Sequence, residues 1–260
     1  MFIVTISPDL IPRRGPNWLS SVFGLTVLQL SNWRWSWPQM LLTGMLAPIV
    51  SAGALGLFSR TAGGNASMYV VSGSITLALL FETQGRVATN FAFMRAVGSF
   101  DYLASFPIKK GALVAASMCA FTLLAIPAVT VTTIAASLLL RLPLHVSPMI
   151  VPAVLICLVP FVAIGAVIGA HGRSLEEVSS ISVAFTLLSA ALGPVAISPD
   201  LLPAPLVAIG TINPAVYASV LIRSCLFGDY SFQTFVAAIV MIVVATASIV
   251  LVRFSLPWRK

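Results

Sequence analysis

Thirty consecutive residues without a charge, Gly111–Leu140, constrain this chain more than any other feature. A bilayer core calls for about 20 mostly apolar residues per helix, and a run of this length crosses with room for tilt. The rest of the chain repeats the pattern. Of 260 residues, 59% are hydrophobic and 8% charged, where soluble domains carry about 25% charge. Mean hydropathy is +1.05. Charges are sparse punctuation between apolar runs, so the sequence reads as an all-α integral membrane protein with no soluble domain, a single unit over 1–260.

Six runs read as transmembrane helices: 40–58, 68–88, Gly111–Leu140, 146–170, 178–197 and 231–252. Prolines 148, 152 and 160 inside the fourth are tolerable, because neighbouring helices satisfy freed carbonyls. The stretch 201–222 is long enough to span but carries Pro203, Pro205, Gly210, Asn213 and Pro214. It reads as a re-entrant hairpin of two short helices within 198–222, dipping in from outside. Residues 15–33 are uncharged, rich in Ser, Thr, Asn and Gln, and followed by Trp35 and Trp37 after Trp33. Tryptophan prefers the headgroup layer, so 17–32, extended to 37 by the tryptophans, is expected to be an amphipathic helix on the inner leaflet.

Basic residues orient this arrangement. With both termini inside, Arg13, Arg14, Arg34, Arg95, Lys109, Lys110, Arg173, Arg253, Arg259 and Lys260 are cytoplasmic, and only Arg60, Arg141 and Arg223 lie outside. That is the bias of the positive-inside rule. A seventh span at 201–222 would put the C-terminal cluster outside. The net charge of +7 therefore serves topology rather than nucleic acid. Cys119, Cys157 and Cys225 are odd in number and form no CxxC pair, which implies neither a disulfide framework nor a metal site. Residues 1–16 lack an apolar core followed by small residues, so no cleavable signal peptide is expected. No internal repeat is visible, which weakens an inverted-repeat secondary transporter.

Between the second and third runs lies a polar-edged segment, 94–110. Arg95 and Lys109-Lys110 bracket it. Gly98-Ser99 breaks the preceding helix, Ser99 can cap a new one, and Asp101 sits in its first turn where the helix dipole favours negative charge. Pro107 stops it, since the residue before a proline leaves helical geometry. The product is a helix of about two turns, roughly 10 Å long, held at the cytoplasmic face as a handle for a partner.

These residues resemble a family. In the permease subunits of type-2 ABC transporters, the group with daunorubicin-type drug exporters and polysaccharide exporters, the segment after the second span reads roughly Arg-Glu-x-Gly-Thr-Leu-Glu-x-Leu, with a proline a few residues on. Arg95, Gly98 and Leu103 match, and Pro107 stands at the proline. Ser99, Phe100 and Asp101 replace Thr, Leu and Glu in kind, while Ala96 departs from the usual acidic residue. A second mark before the last span is Asn213-Pro214, Tyr217, Arg223 and Gly228, and a third, near the first span, is Arg34, Pro38 and Pro48. The resemblance implies six transmembrane helices, an interfacial N-terminal helix, a coupling helix between spans two and three, and the re-entrant hairpin. It also implies a dimer of permeases, a homodimer or a pair with a sibling, each gripped by a nucleotide-binding ATPase subunit.

The chain has no GxxxxGK[ST] motif, so ATP and Mg²⁺ would sit on the partner and this chain would bind no cofactor. Residues 99–106 would then dock on the ATPase, with Tyr102 and Phe106 as apolar contacts and Arg95 and Asp101 as orienting charges. An ordinary solvated loop is the alternative. Around 171–177, Arg173, Glu176 and Glu177 offer a second contact, or simply a capping box with Ser174 at its start. Glu82 and Arg86 lie one turn apart and form either a polar element of the pathway or a self-paired couple at a helix end protruding into the cytoplasm. His145 and His171 fall on opposite sides. An exporter of an amphiphilic drug or lipid-like substrate in the cytoplasmic membrane is the leading expectation. A polysaccharide or glycolipid exporter, an ion-coupled transporter and a membrane-embedded enzyme are the rivals.

Overall fold

A computed structural model describes residues 17–32, 37–62, 65–106 and 108–255. Arg13, Arg14, Trp33, Arg34, Trp35, Pro107, Arg259 and Lys260 of the sequence reading lie outside them. Every regular element among the described residues is helical.

The first helix, α1 (Trp18–Asn32), lies along α6 (Lys110–Leu140). Gln29 Nε2 donates to Ser117 Oγ at 2.9 Å, and Leu25 is buried beside Phe121. Its other side leaves Leu19 and Phe23 exposed. Helix α2 (Trp37–Ala62) packs on α6 and on the next rod. That rod is the hub of the fold: α3 (Ala66–Leu79), a π-helical turn (Leu80–Gly85) and α4 (Arg86–Ala96) make one 31-residue helix, Ala66–Ala96. It runs a full two turns past the expected end at 88.

After α5 (Ser99–Ser105) and α6 come α7 (Ile150–His171) and α8 (Leu175–Ala191). Gly165 and Gly169, one turn apart on α7, allow its backbone to meet the hub. A Cβ on Gly165 would overlap the Gln84 carbonyl in the π-turn, and one on Gly169 the Ala88 carbonyl. Small residues at this spacing are how helices approach closely where no hydrophobic force separates them from lipid. The hub is the most buried of the long helices, while α11 (Phe232–Ser255) packs on α7 and on the helix Pro214–Phe227 and is largely exposed.

The expected span over 178–197 is only partly helical. Helix α8 has 17 residues, about 26 Å at 1.5 Å each, and it stops because Gly193 adopts φ +124. The chain then threads over α3 at Gly73, where a Cβ would overlap Val195 and Ala196. A single 3₁₀ turn leads to α9 (Ala204–Gly210) and α10 (Pro214–Phe227), which meet at 86°. Among the described residues, four helices are long and apolar enough to cross a membrane: Ala66–Ala96, Gly111–Leu140, Ile150–His171 and Phe232–Val252. The bent pair makes up to five. Length and composition therefore do not by themselves supply six, since α2 contributes a described apolar stretch of only Gly44–Ser59.

Candidate functional site

At one end of the bundle, α4 ends, α6 begins and α7 turns into α8, and the short helix α5 sits there. Gly98 has φ +70 and occupies the N-cap position of α5. Ser99 is the first helical residue rather than the cap, because the left-handed turn that separates α4 from α5 falls one residue earlier, where glycine carries no steric penalty. Phe106 is extended (φ −85, ψ 155), as a residue before proline should be.

The helix has two faces. Phe100 and Leu103 are buried, and the Phe100 ring meets Phe91 of α4 edge-on at 5.6 Å. Such a pair contributes about 1 kcal/mol beyond area burial. Tyr102 and Phe106 point away, 67% and 41% exposed, and contact each other edge-on at 5.1 Å. The backbone of Asp101 is helical; its side chain is outside the description. Arg95 is half-buried, and its Nη1 donates to the carbonyl of Ala170 in the last turn of α7 at 2.7 Å. The root of α5 is thus tied to the turn holding Arg173, Glu176 and Glu177, all exposed. There Ser174 caps α8 by accepting from Glu177 N at 3.1 Å, while Glu177 Oε2 accepts from Arg173 N at 2.9 Å. The return bond reaches one residue before the cap, a variant of the expected box.

Glu82 and Arg86 do pair, but not at a helix end. Arg86 Nε donates to Glu82 Oε2 and Nη2 to Oε1, each at 2.6 Å, and Glu82 is 1% exposed. The reading of a couple protruding from the end of a span is corrected, because the rod continues ten residues to Ala96. Glu82 lies in the π-turn, a feature often found at functional positions, Arg86 follows it directly, and the pair borders a cavity of about 300 Å³. Gly44 of α2 forms the opposite wall, where a Cβ would overlap the Glu82 carboxylate. Helix α8 adds Ser179, Ser182 and Thr186. Thr186 Oγ1 donates to Gln84 Oε1 at 3.0 Å, whereas Ser182 Oγ and Gln84 Nε2 are buried with no hydrogen-bond partner among the described residues. The sequence offered Glu82 and Arg86 as a pathway element, but the hydroxyls of α8 that face them were missed, though 179, 182 and 186 stand at helical spacing.

At the junction of α8 and α10, Asn213 Oδ1 accepts from Ala215 N at 3.0 Å, capping α10 with Pro214 in the first turn. Its Nδ2 donates to the carbonyls of Ser189 (2.6 Å) and Leu192 (2.7 Å) at the end of α8. Tyr217 Oη donates to Thr211 O at 2.6 Å, closing the bend. Arg223 stacks over Tyr69 of α3, 3.8 Å from the ring centroid. So Asn213, Pro214 and Tyr217 form one joint, and Arg223 lies farther along α10. His145 and His171 are both exposed and flank opposite ends of α7.

A comparison with curated proteins finds no match. The family model described as ABC-2 type transporter matches residues 21–227, from within α1 to the end of α10. The match embraces the hub, α5, the cavity and the bent pair. This chain belongs to the ABC-2 type transporter family, as a multi-pass membrane permease subunit that is not itself catalytic and whose family implies an ATPase partner.

Proposed function

We propose that this chain is the permease of an ATP-driven exporter of an amphiphilic, drug- or lipid-like substrate across the cytoplasmic membrane. It works as a dimer of permeases, each driven by a separate nucleotide-binding subunit that holds ATP and Mg²⁺. Six membrane-crossing segments, α2, Ala66–Ala96, α6, α7, α8 with the residues after it, and α11, put both termini in the cytoplasm. Helix α1 lies at the inner leaflet, and α9–α10 form the re-entrant hairpin near the outer exit.

One observation carries this reading. The seven-residue helix α5 is rooted through Phe100 and Leu103, presents Tyr102 and Phe106 outward, and connects through Arg95 to the end of α7. A partner pressing on that aromatic pair moves the end of the hub and the α7–α8 turn together, and Arg173, Glu176 and Glu177 offer a second contact beside it. Residues 94–110 are then the coupling segment, with Gly98 and Ser99 at its hinge, Asp101 on its rim and Pro107 at its stop.

The test is co-purification and ATPase stimulation with the partner subunit. Tyr102→Asp with Phe106→Asp should weaken the complex by about 2 kcal/mol or more, the scale of aromatic anchor residues, and abolish coupled turnover. A lone cysteine at Ala104 should react with a membrane-impermeant maleimide only from the cytoplasmic side. Labelling from outside overturns the proposal.

A further inference from the structure

Resting on the exporter reading, we infer that the chamber beside Glu82 holds the headgroup of the transported amphiphile and selects a neutral group bearing hydroxyl or carbonyl oxygens over a charged one.

The lining sets the polarity. A second cavity, of about 190 Å³ between α2, α3 and the segment after α8, is bordered chiefly by Leu55, Phe58, Val70, Ile197 and Leu201. The chamber, between α2, the π-turn with α4, and α8, instead carries an ion pair and the hydroxyls of Thr89, Ser179, Ser182 and Thr186. In a chain this apolar, polar groups at such a position are costly and mark a ligand path. Ser182 is 2% exposed and its Oγ has no partner. A buried hydroxyl in that state costs free energy that a ligand oxygen recovers.

Charge selection follows from the ion pair. Arg86 bonds both Glu82 oxygens, and these are the two charged residues among the described residues that line the chamber. The described lining therefore carries no net charge. An entering ammonium meets attraction from Glu82 and repulsion from Arg86, an entering phosphate the reverse, and neither finds a surplus counter-charge to offset its desolvation. A neutral oxygen-bearing group loses far less hydration and has the hydroxyls to bond. The volume of about 300 Å³ lies at the small end of ligand cavities. It suits a headgroup, with Phe81 and Val183 as apolar walls where a tail begins.

Gly85 supplies the means of closing the chamber. It borders the cavity with ordinary helical angles (φ −64, ψ −44), and a Cβ there meets no heavy atom within 4 Å. A side chain at 85 fills space without straining the backbone.

The experiment uses the permease with its ATPase in nanodiscs, with Cys119→Ser as background and Ser179→Cys as the reporter on the chamber wall. Maleimide labelling is timed with decyl glucoside, decyltrimethylammonium or decyl sulfate at equal concentrations below micellisation. Ser180→Cys, exposed and off the lining, controls for nonspecific effects. The glucoside should slow labelling at position 179 with an apparent affinity about tenfold or more above either ion. Gly85→Leu should remove that protection, and Ser182→Ala should weaken it about threefold or more. Equal protection by all three probes, none by the glucoside, or full protection in Ser182→Ala overturns the inference. Labelling needs no ATP, so its failure in a complex that still exports leaves the exporter reading standing, and loss of coupling leaves this one standing.

Discussion

Arg95 reaches across the bundle to Ala170. Its guanidinium Nη1 lies 2.7 Å from that carbonyl, in the last turn of α7, and the two residues are 75 positions apart in the chain. A cation at a helix C-terminus satisfies an orphan carbonyl and complements the helix dipole. Here it also joins the base of α5 to the α7–α8 turn, so the two features on that end of the bundle behave as one body.

Arg95→Ala should lower thermal stability in detergent by only about 1 kcal/mol, because the side chain is half-exposed and water replaces part of the bond. Its effect on coupling should be larger than its effect on stability. Stimulated ATPase activity of the complex should fall several-fold while the melting temperature moves by a few degrees. Arg95→Lys, which keeps the charge and loses the planar fork, should recover the stability but only part of the coupling.

The Glu82–Arg86 pair predicts strong non-additivity. Glu82→Gln removes the carboxylate that the half-buried Arg86 bonds, a loss of about 1–3 kcal/mol. Glu82→Gln with Arg86→Met removes both charges and should be milder than either single change. A double-mutant cycle on unfolding midpoints measures this, and simple additivity of the two singles would contradict the paired geometry.

Asn213 makes a sharper prediction because it does two opposite jobs. Oδ1 caps α10, while Nδ2 donates to the carbonyls of Ser189 and Leu192. Asn213→Ala should cost about 2–3 kcal/mol, one cap and two hydrogen bonds. Aspartate is as good a cap as asparagine, yet Asn213→Asp would aim a carboxylate oxygen at two carbonyls. It should therefore be at least as unstable as the alanine variant when both are compared by fluorescence-detected size exclusion after heating.

Gly165→Ala and Gly169→Ala test the contact between α7 and the hub. Each added methyl falls on a carbonyl of the neighbouring helix, which has no flexible end to swing aside. Overpacking of this kind costs about 1–3 kcal/mol, and the same melting assay should show both variants less stable. Gly111→Ala, where a Cβ meets nothing within 4 Å, should be neutral or slightly stabilising, since alanine is the better helix former.

Parts of the site were readable along the chain because their causes are local. Gly98 breaking α4, an extended residue before Pro107, Ser174 paired with Glu177, and Asn213-Pro214 starting a helix are all effects of neighbours within four residues. The one-residue error at Ser99 is of the same kind: two adjacent residues could each end the break, and glycine took the left-handed position. Within 178–197 the helix ends at Ala191, short of the expected end, because hydropathy measures solubility in lipid and says nothing about where a backbone bends. Gly193 bends it, and Gly210, packed face to face with it, leaves the room.

Composition determined that this protein lives in a membrane, because transfer energies depend on residue type rather than on contacts. The tertiary structure alone decided that Glu82 faces Gly44, that Arg95 binds Ala170, and that a polar chamber opens between α2, the hub and α8. Those relations join residues tens of positions apart. They depend on which glycine faces which backbone, and that is settled only when the helices pack.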